Sequence, residues 1–149
     1  MKKFADSLAS LAITAWVGGL WGIGYIAVPV LFQTLADRML AGSLAGKMFE
    51  LIAYVGMGSA CYLLVYQYCQ SGKAAVKHPV FQVVSIMLLL TIVGQFWIQP
   101  IMTELKFQAL PADISNSPFH SQFRLLHGIS SILYLLQSVM GAFLIVKSR

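Results

Sequence analysis

The sequence predicts an all-α fold: a four-helix transmembrane bundle running up-down-up-down. Four stretches, residues 7–36, 51–72, 78–103 and 125–146, contain no Asp, Glu, Lys or Arg. Each reaches the roughly 20 residues that an α-helix needs to cross a bilayer core. The chain is 58% hydrophobic and 10% charged, with a mean hydropathy of +0.77. A soluble helical bundle needs a charged face on its helices, and these stretches have none. Outside them no segment is long enough to build its own core, so residues 1–149 are expected to form one membrane domain.

The formal net charge is +5, and the basic residues sit at the ends of the apolar stretches. That placement orients spans in a membrane. The expected partner is the lipid bilayer, and no nucleic acid is expected.

The first span is expected over residues 8–32, uncleaved, since its apolar run is longer than a signal peptide's and ends in no A-x-A site. Gly18 and Gly22 form a G-x-x-x-G pair. Such a pair lets a second backbone come close, so both are assigned to helix packing within the chain. Pro29 is placed with them, as a kink near the end of the span that frees a carbonyl for another partner. Residues 33–46 form a link whose middle, 35–44, suits a short surface helix. The second span covers 47–69 and holds both cysteines, Cys61 and Cys69. Eight residues along one helix separate them too far for a disulfide. After a short basic loop, Pro79 suits the first turn of a third span over 79–99, with Pro100 as its stop. The longest link follows, irregular around Pro111, Asp113 and Pro118. The fourth span covers 123–146.

Four spans put both termini on one side. That side carries Lys2, Lys3, Lys73, Lys77, Lys147 and Arg149, against Arg38, Lys47, Lys106 and Arg124 on the other. The bias predicts termini in the cytoplasm, in a bacterial inner membrane.

Polar residues inside the spans collect on particular faces. His127, Ser130, Ser131, Tyr134 and Gly141 share one face of span 4, and Thr91, Gln95 and Gln99 recur every four residues in span 3. In an antiparallel bundle Glu50, Gln95, Gln99, Arg124 and His127 come to the same, non-cytoplasmic end. There they form the candidate ligand site, together with Ser130, Ser131 and Tyr134. Polar packing alone, including a Glu50–Arg124 ion pair, is the competing account. His127 is expected to face the interior beside Gln95 or Gln99 and near Glu50, because an unpaired imidazole in hydrocarbon is costly.

An intramembrane His also raises metal and haem. His120, His127 and Met102 suit copper by ligand type. A haem held through His127 is the other cofactor reading; a bis-His haem within one chain lacks its second intramembrane His.

The runs Trp16-Val17-Gly18-Gly19, Pro29-Val30-Leu31-Phe32, Ala41-Gly42, Lys47-Met48-Phe49 and Trp97-Ile98-Gln99-Pro100 carry a resemblance, as does Phe123 before His127-Gly128-Ile129-Ser130-Ser131. They resemble the transmembrane-protein-205-like family (domain of unknown function 4149) over nearly the whole chain. The resemblance implies a small four-span membrane protein and no established chemistry. A eukaryotic relative associated with platinum-drug resistance hints at transport or metal handling. The family is more distantly similar to copper-resistance and haem-pathway four-span domains. The expected function is to bind or pass a small polar or metal-containing species near the non-cytoplasmic end. A haem-binding redox enzyme using His127 and a structural subunit without a ligand are the alternatives. Enzyme activity is not the favoured reading, and a homo-oligomer is left open.

Overall fold

The computed structural model describes residues 2–110 and 114–147. Pro111, Asp113 and Arg149 lie outside them. Four helices are long and apolar enough to cross a membrane: α1 (Lys3–Thr34), α2 (Arg38–Lys77), α3 (Pro79–Ala109) and α4 (His120–Lys147). The described residues contain no strand. Consecutive helices alternate in direction. Each packs on the next and α4 closes back on α1, giving a four-membered ring in which α1 and α3 are diagonal.

Local signals explain the boundaries. The Asp37 carboxylate accepts from the Met39 N–H at 2.8 Å and the Leu40 N–H at 3.1 Å, capping the start of α2. The helix therefore begins at Arg38 and runs without a break into the second span. The expected surface helix over 35–44 is its first turns. At the other end Gly72 takes a positive φ of 56°, and a tight 3-10 segment, Gly72–Lys77, leads to α3.

α1 and α3 each contain a π turn, at Gly22–Ala27 and Gly94–Ile98. The Val28 N–H bonds to the Ile23 carbonyl and the Gln99 N–H to the Gly94 carbonyl, both five residues back. A proline follows each donor. In an unbroken α-helix a proline ring strikes the carbonyl four residues earlier, and the wider turn removes that clash. Pro100 is therefore no stop: α3 continues to Ala109. Pro29 likewise does not end α1, which runs on to Thr34, and it is exposed rather than packed.

The core occupies the half of the bundle near the termini. Trp16, Val17, Leu63, Val84, Met87 and Leu144 are its largest fully buried side chains, one or more from every helix. Its glycine contacts differ from those expected. A Cβ at Gly18 or Gly22 would meet nothing within 4 Å. Both face outward, because Trp16, Val17 and Leu20 take the inward face of α1. Close approaches occur instead at Gly19, against the Ile52 side chain, at Gly24, against Tyr134, at Gly56, against the Trp16 indole, and at Gly141, where a Cβ would lie 2.8 Å from Val17 Cγ1.

Candidate functional site

Call the end of the bundle away from the termini the distal end. There the four helices enclose a cavity of about 390 Å³. This lies within the roughly 300–1,000 Å³ common for small-molecule sites. Gly24, Tyr25 and Val28 line it from α1; Phe49, Ile52 and Ala53 from α2. α3 contributes Thr91, Gly94, Gln95, Gln99 and Met102, and α4 contributes His127, Ser130, Ser131, Tyr134 and Gln137. Both π turns border it. A π turn widens the helix at the level where the diagonal pair, α1 and α3, face each other.

The floor is a set of satisfied polar groups. Thr91 Oγ1 donates to the Met87 carbonyl at 2.8 Å and lies 3.1 Å from Gln137 Oε1. The Tyr134 hydroxyl donates to the Leu20 carbonyl at 2.5 Å, and the Tyr25 hydroxyl reaches Ser138 Oγ at 2.9 Å. Tyr134 fills the space above Gly24, where a Cβ would fall within 2.8 Å of its ring. Below this floor the bundle is closed by the Trp16 core. Trp16 and Val17, both fully buried, thus lie between the cavity and the end that carries the termini.

Higher up the pairing stops. Gln95 and Gln99 are half-buried on the cavity wall, and their side-chain amides make no hydrogen bond among the described residues. Ser130 Oγ makes a long contact across α3 and α4 to the Met102 sulfur, 3.9 Å away. The opposite seam, between α1 and α4, is open. Tyr25 and Leu135 line the cavity yet are 50% and 57% exposed. His127 and Ser131 are exposed on the same rim.

The distal roof comes from all four helices. Lys106 Nζ lies 3.5 Å from the Gly42 carbonyl and 5.4 Å from the centroid of the Phe123 ring. A Cβ at Gly42 would be 3.9 Å from both Lys106 Nζ and Phe32 Cζ. Phe123 in turn stacks on His127, with ring centroids 6.0 Å apart at 11°. Phe32, Lys106 and Phe123 lie one helical turn beyond the wall residues Val28, Met102 and His127, on the same faces. Lys106 is half-buried and, among the described residues, has no carboxylate partner.

The residues singled out from the sequence divide accordingly. Gln95, Gln99, Met102, His127, Ser130, Ser131 and Tyr134 line one cavity. His127 stands at its open rim rather than in the interior. Glu50 is not on the wall: Phe49 and Ala53 take the inward face, and the Glu50 carboxylate pairs with Lys47 at 2.8 Å. Arg124 is exposed, and the Glu50–Arg124 ion pair of the competing account is not formed. His120, the first residue of α4, is off the wall. Among the described residues no three His, Cys, Asp or Glu side chains come together as a metal set. Sequence reasoning passed over Lys106, Phe123 and Tyr25. Lys106 was readable only as an orienting charge, although it stands four residues after Met102 on one helix face.

A multi-pass helical bundle with a polar pocket in one half defines the class: a small integral membrane protein of four spans. The chain belongs to the family described as Domain of unknown function (DUF4149), which matches residues 11–111. No curated protein and no solved structure matches it.

Proposed function

We propose that this protein binds a small molecule with both apolar and hydrogen-bonding parts in the distal cavity. One observation carries the reading. The side-chain amides of Gln95 and Gln99 face a largely apolar cavity with no partner among the described residues, while the Tyr25, Thr91, Tyr134 and Ser138 hydroxyls of the floor are hydrogen-bonded. In a bilayer, an unpaired amide costs several kcal/mol unless water or a ligand meets it. Two amides with donors and acceptors, a serine hydroxyl and the rim imidazole of His127 converge on one volume. The buried core beneath the floor favours binding over free passage. The site needs no metal, so copper at His120, His127 and Met102 is not part of this reading.

Native mass spectrometry of protein purified in mild detergent tests it. A retained small molecule is expected, and Gln95→Leu/Gln99→Leu should cut its occupancy by about tenfold, the effect of losing roughly 1.4 kcal/mol. A folded wild type that carries no adduct and takes up none from a lipid extract would leave the structural-subunit reading in place. A haem Soret band in the absorbance spectrum would replace the proposal with ligation through His127.

We also propose that both termini and the Gly72–Lys77 segment face the cytoplasm, with the cavity in the outer half of a bacterial inner membrane. Lys3, Lys73, Lys77 and Lys147 on one side support this orientation. In a background lacking Cys61 and Cys69, Ala74→Cys should resist a membrane-impermeant thiol reagent in intact cells and Asn116→Cys should label. The reverse pattern would turn the cavity toward the cytoplasm.

A further inference from the structure

Two features of the cavity remain unused by a neutral small ligand: its sideways mouth and its charged roof. The mouth lies between Tyr25 of α1 and His127, Ser131 and Leu135 of α4, on a surface that faces lipid in a four-span bundle. Past the π turn, the distal part of α1 packs on α2, leaving that seam open. A ligand entering there comes from the bilayer and has an apolar body.

The roof adds the charge. A lysine at a membrane interface ordinarily extends its ammonium outward to water. Lys106 instead stays half-buried among Phe32, the Gly42 carbonyl and Phe123, at the point where all four helices meet. A carbonyl and an aromatic ring accept part of its charge. Among the described residues no carboxylate pairs with it. Two turns below Lys106 on α3 lies the Gln99 side-chain amide, and one turn below Phe123 lies the rim imidazole of His127. These groups form a donor cluster above an apolar chamber.

We infer that the cavity takes a single-chain amphiphile with an anionic head group, a carboxylate or a phosphate. The ligand enters from the bilayer between α1 and α4 and seats its head toward Lys106. The inference rests on the cavity being a binding site, and it adds the ligand's class. Head-group oxygens accept from the Lys106 ammonium and the Gln99 amide, a charge-assisted arrangement stronger than neutral hydrogen bonds. The chain lies along Val28, Phe49, Ile52 and Leu133.

The test titrates full-length protein in nonionic micelles with ω-bromododecanoate, ω-bromododecyl phosphate and ω-bromododecanol, reading bound probe by native mass spectrometry. The wild type should prefer at least one anion over the alcohol by about tenfold or more, equal to at least 1.4 kcal/mol. The stronger of the two anions identifies the head group. Lys106→Gln should erase the preference while alcohol binding stays, and Lys106→Arg should keep it. Equal binding of all three probes by the wild type would overturn the inference and leave the cavity as a neutral site. A preference that survives Lys106→Gln would overturn it as well. Failure of all three probes to bind, together with no retained molecule, would instead count against the cavity as a binding site.

Discussion

Gly56→Ala is expected to lower the stability of the detergent-solubilised bundle by about 1–3 kcal/mol, the usual cost of overpacking a filled core. The added methyl would collide with Trp16 Nε1 and stand 2.9 Å from Cδ1 and Cε2 of the same indole. Trp16 cannot give way: it is 1% exposed and rigid, and it sits with Val17 at the centre of the core. Gly22→Leu adds far more volume yet should change stability by no more than about 0.5 kcal/mol, as for other outward positions. Denaturation curves of the two variants provide the comparison. Trp16→Phe should restore part of what Gly56→Ala removes, because the two side chains compete for one space. A harmless Gly56→Ala, or a severe Gly22→Leu, would mean that α1 presents a different face to α2.

The second large effect is expected at the π turn of α3. Deleting Trp97, which is 71% exposed, and replacing Pro100 by Ala removes both the extra residue and the ring that demands it. The segment should close into a regular α-helix, with Met102 and Lys106 still on their original face. Relieving an interior proline is worth up to about 3 kcal/mol, so the thermal midpoint should rise. Ligand occupancy should fall by about tenfold, or 1.4 kcal/mol, since narrowing the helix at Gly94 and Gln95 reshapes the wall. Higher stability with unchanged occupancy would show that the wide turn only accommodates the proline.

The four helices and their order could be read from charge-free length alone, because in lipid the backbone must bond to itself. The wall of the cavity was legible for a related reason. Thr91, Gln95 and Gln99, like His127, Ser130 and Tyr134, repeat at helical spacing, and spacing gives a shared face. What that spacing lacks is the rotation of one helix against another. Gly18 and Gly22 show this: a small-residue pair marks a face that could accept a neighbour, but Trp16 and Val17 were already turned inward. Glu50 failed for the same reason, one residue and about 100° from Phe49 on its helix. The prolines were misread in another way. Pro100 stops a regular helix, yet a single wider turn lets the chain continue.

The contacts at Gly56 and Gly141 lie at one level and tie three helices together through Trp16 and Val17. They act as a waist. On one side of it lies the buried core around Trp16, Leu63 and Met87; on the other the helices carry two wide turns and the distal cavity. Cooperative units in proteins follow such differences in packing density. The two halves therefore have unequal opening free energies, and the distal half can breathe while the waist stays shut. A molecule the size of the void could come and go on the timescale of that breathing, without the bundle unfolding and without the membrane becoming leaky.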